Sequence, residues 1–426
     1  MLKHAAGLVL ASAFVLAAAV LGNAGAAERQ SAAAPQGGAP DDFPLASEVR
    51  TAGDEAQTRL VLDLSRKVEL RAFALANPDR VVIDLPQVTF QLPSRAGETG
   101  RGLIKAFRYG LVMPGGSRMV IDLARPARIE KAFVLDAANG QPARLVLELA
   151  AVDREVFMRT IALDTRAPDR RLPDAAAPGK HQAEGKADER PLIVIDPGHG
   201  GIDNGTRAPS GEAEKTIVLD FALLLRARIE KIGKYRVMLT RTDDSFIALA
   251  DRVQFARARQ AALFVSIHAD ALPRGEGDAQ GATVYTLSET ASDSEAARLA
   301  ESENRADVIA GLDLSSESND VADILIDLAQ RETKNFSVQF ARMLVGEMRN
   351  AARLHKHPLR SAGFRVLKAP DVPSVLVELG YVSNRQDFKS LTSEVWRGRA
   401  ADAIVQAVDN FFNTRLAGAG RKTGQN

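Results

Sequence analysis

Two regimes of hydrophobic patterning divide the chain. In the first, from about residue 45 to 152, apolar and polar positions alternate with a period of two and β-branched residues are frequent, as in "RLVLDLSR" (59–66) and "RVVIDLP" (80–86). That period sends successive side chains to opposite faces of a half-buried strand. Both segments return, as "RMVIDLAR" (118–125) and "RLVLELA" (144–150), so the region is an internal repeat. Two related β-rich halves predict a small β-sandwich.

From residue 191 to about 416 the pattern changes. Continuous apolar runs ("LIVID", "YRVMLTR", "ALFVSIHAD", "SVLVELGYVS") alternate with helical segments: "EKTIVLDFALLLRARIEKI" (214–232), "ALADRVQFARARQA" (248–261) and a closing "EVWRGRAADAIVQAVDNFF". Strands without alternation, set between helices, belong to a sheet covered on both faces. The expected architecture is an α/β catalytic domain, a mostly parallel sheet with helices on both faces, preceded by a small β-sandwich domain.

The remaining segments lack such periods. Lys3 precedes an uncharged Ala/Val/Leu run from 5 to 21 and then "GNAGAA", which predicts a signal peptide over 1–27 cleaved after Ala26 or Ala27. No Arg-Arg pair stands before it, which favours the general secretory route. Residues 28–44 read as a disordered leader, 153–190 as a Pro-, Ala- and charge-rich linker, and 417–426 as a tail.

Composition narrows the chemistry. The chain has 426 residues, 55 basic and 54 acidic, for a net charge of +1, so no strong field exists for a polyanion and a nucleic-acid partner is excluded. With no cysteine there are neither disulfides nor thiolate ligands. Of six histidines, His4 falls in the signal and His181 in the linker, leaving His199, His268, His355 and His357. The last pair, in "RLHKHPLR", is expected at the surface or in a substrate groove.

Three strands end in a potential ligand or acid: "IVIDPGH" near His199, "LFVSIH" at His268 and "SVLVE" at Glu378. In open α/β sheets the working crevice lies at the carboxyl ends of the strands, so these groups converge on one edge. Glu214 opens the helix after the Gly-rich turn and joins them, although a helix-head acid also complements the helix dipole. Two imidazoles and a carboxylate make a three-ligand zinc site with a fourth position open to water. Glu378, a carboxylate closing a buried apolar strand, is the candidate general base. A phosphate-cradling reading of "GHGGIDNG" fails, because Asp203 stands where the third glycine of G-x-G-x-x-G belongs.

Together, "IVIDPGHGGIDNGT", the Glu-Lys heading the next helix, "LTRTDD", "FVSIHAD", "GFRVLKAPDVPSVLVELGYVSN" and the terminal helix resemble the zinc-dependent N-acetylmuramoyl-L-alanine amidases of the AmiC/AmiB kind. The repeat before the linker is similar to the AMIN domain that precedes the catalytic domain in that family. The resemblance implies a monomeric periplasmic hydrolase of peptidoglycan, with one Zn2+ on His199, Glu214 and His268 and Glu378 as catalytic glutamate. It implies no membrane contact after signal cleavage. It also gives meaning to an insertion at about 288–333, rich in Ala, Glu and Leu and predicting two helices. There "ESENRAD" is similar to a helix that plugs the active site, with Glu303, or alternatively Glu301, on the zinc and a LytM-domain activator needed to withdraw it. The competing readings are a zinc peptidase or carboxypeptidase on cell-wall peptides and a non-catalytic wall-binding protein.

Overall fold

The computed structural model describes residues 43–93, 95–113, 115–164, 188–270, 280–312 and 324–422. The expected signal peptide, most of the leader and His181 lie outside the described residues.

In the N-terminal region, β1 (Leu45–Gly53), β2 (Gln57–Leu64), β3 (Arg71–Leu75), β4 (Arg80–Pro86), β5 (Thr89–Phe90), β6 (Ile104–Met113), β7 (Gly116–Leu123), β8 (Ala127–Leu135) and β9 (Ala143–Ala151) form two sheets. Their orders are β5-β1-β2-β9-β8 and β3-β4-β7-β6. The repeat explains this arrangement, because each sheet pairs a strand of one copy with a strand of the other. β2 lies antiparallel to β9, with Arg59 opposite Glu148 and Asp63 opposite Arg144. β4 lies antiparallel to β7, with Arg80 opposite Asp122 and Asp84 opposite Arg118. Cross-strand opposite charges of this kind help to set register. Leu60, Leu62, Leu64, Val81, Ile83 and Leu85 fill the space between the sheets.

Two features depart from the sequence pattern. Residues 80–85 of β4 are all buried, not alternately so. The outward-facing Val82, together with Leu75 and Val120, packs into a core shared with the second domain. The expected linker also begins with a helix, α1 (Arg154–Asp164), whose Phe157 is fully buried in the sandwich core. Its apolar positions were hidden by the charges around them.

The second domain runs β10 (Leu192–Pro197), α2 (Glu214–Ile232), β11 (Arg236–Leu239), α3 (Leu249–Ala258), β12 (Leu263–His268), β13 (Ala282–Leu287), α4 (Ser294–Glu303), α5 (Ala306–Ile309), α6 (Ile324–Met348), β14 (Leu354–Ala362), β15 (Ser374–Glu378), α7 (Arg385–Leu391) and α8 (Glu394–Lys422). The sheet order is β11-β10-β12-β15-β13-β14. The first four of these strands are parallel, β13 is antiparallel to β15, and β14 is parallel to β13. The sheet is therefore mixed, with helices on both faces. One face carries α2, α6 and α8 through Phe221, Leu225, Leu344 and Phe411. The other carries α3 and α4 through Leu249, Leu299, Tyr285 and Leu376.

The insertion also differs from expectation. Its first helix is α4, followed by the single turn of α5. Its second apolar run enters α6, which continues without a break through "NFSVQFARML". His355 and His357, expected at the surface or in a groove, sit on strand β14. His355 is buried, because the apolar floor beneath α4 extends across that strand.

Candidate metal centre

The site begins with β10, whose six residues are all buried. Asp196 near its end is fixed by three donors: Thr240 Oγ1 at 2.5 Å, Ser266 Oγ at 2.8 Å and Arg252 Nη1 at 2.8 Å. Burial opposes its charge, yet Arg252 and the two hydroxyls outweigh that and hold its carboxyl below the usual range. The chain then turns sharply, with His199 itself at φ 58°. A non-glycine residue in that region is strained and persists only where its surroundings hold it. Here two buried guanidiniums do so. Arg252 donates to the carbonyls of Pro197 and His199 at 2.9 and 2.7 Å, and Arg241 to those of Pro197 and Gly198 at 3.1 and 2.7 Å. Gly198 and Gly205 make room for the donors. A Cβ on Gly198 would lie 2.4 Å from the His268 ring, and one on Gly205 would lie 2.6 Å from Glu214 Oε2.

Three side chains meet at this edge. His199, Glu214 and His268 are buried, and their donor atoms all lie within 4.8 Å of one another. His199 Nε2 is 3.2 Å and His268 Nδ1 3.4 Å from Glu214 Oε1. Asp203 Oδ2 pairs with His199 Nδ1 at 2.9 Å, which turns Nε2 toward the centre. Glu214 is oriented by Thr206, whose N–H and hydroxyl donate to Oε2 at 3.0 and 2.9 Å, and by the Ala269 N–H, which donates to Oε1 at 2.8 Å. Among the described residues, neither His199 Nε2 nor His268 Nδ1 has a hydrogen-bond partner. Buried polar atoms are seldom left this way. Two unpaired ring nitrogens facing one carboxylate could hold a metal ion, and the residues present fit one.

Glu378 stands beside them at the end of β15, opposite His268 in register. Its Oε2 accepts the Asp270 N–H at 2.9 Å, while Oε1 is buried without a partner among the described residues. Burial pushes its carboxyl well above the usual range, and the nearby Asp270, Glu214 and Glu303 carboxylates add to the effect. Glu303, the last residue of α4, places Oε2 3.2 Å from His268 Nδ1 and 3.6 Å from His199 Nε2. Glu301 points away, is largely exposed and pairs with Arg305.

Residues 193–410 match the family model for N-acetylmuramoyl-L-alanine amidase, and residues 48–149 match the AMIN domain model. The amidase AmiC of Neisseria meningitidis serogroup B is 34% identical over 374 residues, covering 84% of this chain and 88% of its own. AmiC of Escherichia coli O6:H1 is 33% identical over 374 residues, covering 85% and 88%. The chain belongs to the N-acetylmuramoyl-L-alanine amidase family. Among solved structures, amidase AmiC2 of Nostoc punctiforme aligns with a TM-score of 0.38 and 25% identity, over 52% of this chain and 97% of that one.

Sequence reasoning missed the supports of this amidase's site. Arg252 lies on the buried stripe of α3 between Leu249 and Ala256. A charged residue at helical spacing within an apolar stripe was the available signal. Asp203 was noticed only as a break in a glycine pattern. Partners of this kind orient ligating histidines, and their loss costs about 10- to 100-fold in metal affinity. Asp203→Asn is therefore expected to weaken metal binding by that factor, read by competition with a chelator. Unchanged affinity would make Asp203 a turn residue only.

Proposed function

We propose that this chain is an exported zinc amidase that hydrolyses the amide between N-acetylmuramic acid and the L-alanine of the stem peptide, kept latent by Glu303 and released during cell separation. His199 Nε2, Glu214 Oε1 and His268 Nδ1 would hold the ion. When bound, zinc supplies an electrophile for the scissile carbonyl and makes a water more acidic. Glu378 Oε1, unpaired and buried beside the donors, takes the water proton and passes it to the leaving amine nitrogen. The observation that carries this reading is the meeting of two unpaired imidazole nitrogens, one oriented carboxylate and a separate free carboxylate oxygen at one sheet edge. Digestion of purified sacculi tests it. Free amino groups on L-alanine with intact stem peptides are expected, and release of terminal amino acids instead would identify a peptidase.

Latency is supported by the way the plug segment is held at its far end. Residues 308–311 close the single turn of α5 with their carbonyls toward the N-terminal sheet, and Val308 O also accepts the Gly311 N–H at 3.0 Å. Three arginines of that sheet donate to these carbonyls. Arg80 Nη1 reaches Val308 O at 2.5 Å, Arg108 Nε reaches Ile309 O at 2.6 Å, and Arg118 Nη1 reaches Ala310 O and Gly311 O at 3.1 and 3.3 Å. Asp122 and Asp84 fix the second and third arginines bidentately. Gly311, at φ 70°, lies so close to the sheet that a Cβ there would be 2.8 Å from Val120 Cγ2. The AMIN-like domain thus acts as a clasp on the plug. An activator of the LytM-domain class would have to overcome the clasp in the periplasm. Arg108→Gln is expected to raise basal dye release from labelled sacculi about tenfold, the scale of one charge-assisted hydrogen bond. A basal rate equal to that of the parent would remove the clasp from the account.

A further inference from the structure

The plug helix α4 carries a second buried-end carboxylate that the latent state alone does not explain. At its first turn, Glu295 is gripped by Arg360, whose Nη1 and Nη2 donate to Oε1 and Oε2 at 2.8 and 3.0 Å. The Tyr381 hydroxyl donates to Oε1 at 3.1 Å, and His355 Nε2 lies 3.9 Å from it. Arg360 Nη1 also donates to the Tyr285 hydroxyl at 3.2 Å, and Arg360 Nε lies 3.2 Å from Asp293 Oδ2. Arg360, Tyr285, Tyr381 and His355 are each at most 5% exposed. None of them belongs to the plug. Tyr285 is on β13, Arg360 and His355 are on β14, and Tyr381 follows β15, so the cradle is built on the sheet and does not depend on α4 for its position.

Register places this cradle beside the chemistry. Thr283 lies opposite Glu378 and Tyr285 opposite Leu376, while Arg360 lies opposite Tyr285. These residues therefore share the sheet face on which α4 lies. Two strand spacings across and two residues along separate Glu378 from Arg360 by about 12 Å. The helix gives the same span independently, since Glu295 and Glu303 are eight residues apart, or about 12 Å at 1.5 Å per residue. An extended peptide covers that distance in three to four residues.

We propose that Arg360, with Tyr285, Tyr381 and His355, forms a substrate subsite for a carboxylate toward the far end of the stem peptide, and that Glu295 occupies it while the enzyme is latent. A planar guanidinium flanked by two hydroxyls is suited to bidentate capture of a carboxylate. The plug then imitates the substrate at two points, with Glu303 at the metal donors and Glu295 in the cradle. This inference rests on the reading of α4 as a displaceable plug.

The experiment uses the full chain carrying Glu295→Ala with Glu303→Ala, so that no plug carboxylate fills the cradle and Arg360 no longer grips Glu295, assayed on soluble muropeptides whose stem ends in a free carboxylate or in the corresponding amide. The activated chain is expected to favour the free acid. Adding Arg360→Gln is expected to raise KM for the free acid about 10- to 100-fold with kcat nearly unchanged, and to leave the amide little affected. Tyr381→Phe, which removes only a hydroxyl, is expected to shift KM several-fold in the same direction and guards against a folding defect in the arginine variant. If Arg360→Gln raises the basal rate of the otherwise native chain but leaves KM of the activated chain unchanged, Arg360 merely fastens the plug and the subsite is overturned. A Glu303→Ala chain with no gain in basal rate would overturn the plug reading, and the subsite with it.

Discussion

Glu378→Gln is expected to lower kcat on peptidoglycan by about 10²- to 10⁴-fold, the range that a positioned general base contributes, while the metal content stays at that of the parent. The substitution is nearly isosteric, and the amide oxygen can still accept the Asp270 N–H that now reaches Oε2 at 2.9 Å. What changes is Oε1, the buried oxygen without a partner, which becomes an amide nitrogen with no basicity. Glu378 lies outside the group of three mutually close donors, so its loss should leave the ion in place. Metal analysis and turnover on the same preparation separate the two effects. A variant that keeps its metal and its rate would exclude Glu378 as the base. One that loses both would place it among the ligands.

The reason so much of this centre was legible from sequence is that its parts sit at strand ends. His199, His268 and Glu378 each close an apolar run, and Glu214 begins an amphipathic helix that spans 214–232 as expected. Once the strands are parallel neighbours, as β10, β12 and β15 are, their ends meet. Which of Glu303 and Glu301 faces the sheet was also open to helical periodicity. Ala296, Leu299, Ala300 and Glu303 form the buried stripe of α4, and Glu301 falls on its opposite side.

What the pattern could not show was contact between distant segments. The carbonyls of 308–311 meet arginines about 200 positions earlier, and neither side carries a local signature of the meeting. β14 escaped notice because "LHKHPLR" alternates polar residues with a proline, and β13 because "ATVYTL" carries two threonines and no chemistry at its end. Without those two strands the reversal of direction at β13, and with it the floor beneath α4, was unreadable. The linker expectation failed in a similar way, since the buried Phe157 and the partly buried Ile161 one turn later, set among charges, are too few to mark a helix.

Glu303→Ala is expected to raise basal hydrolysis of sacculi about tenfold in the absence of any activator. It should also weaken metal retention, because a carboxylate 3.2 and 3.6 Å from the two unpaired imidazole nitrogens is placed to complete their ion's coordination. The gain should stop well short of full activity. Ala296, Leu299, Ala300 and Ala306 keep α4 and α5 seated on the apolar face. Asn304 still donates to Gly363 O at 2.9 Å and accepts the Arg365 N–H at 2.8 Å, and Asp307 still accepts the Leu249 N–H at 2.9 Å. On the proposed reading, removing the Glu303 carboxylate would free the metal position and leave α4 in place. Each tenfold shift in the open fraction needs about 1.4 kcal/mol, so losing one contact among many moves the balance by a single step. Combining Glu303→Ala with Arg108→Gln attacks the same segment at both ends, and the rate gain should then approach the product of the single effects while the open fraction is small, since both act on one two-state element. Equal basal rates for the parent and the Glu303→Ala chain, with metal sites equally filled, would mean that the carboxylate is an ordinary buried acid and that access to the centre is governed elsewhere.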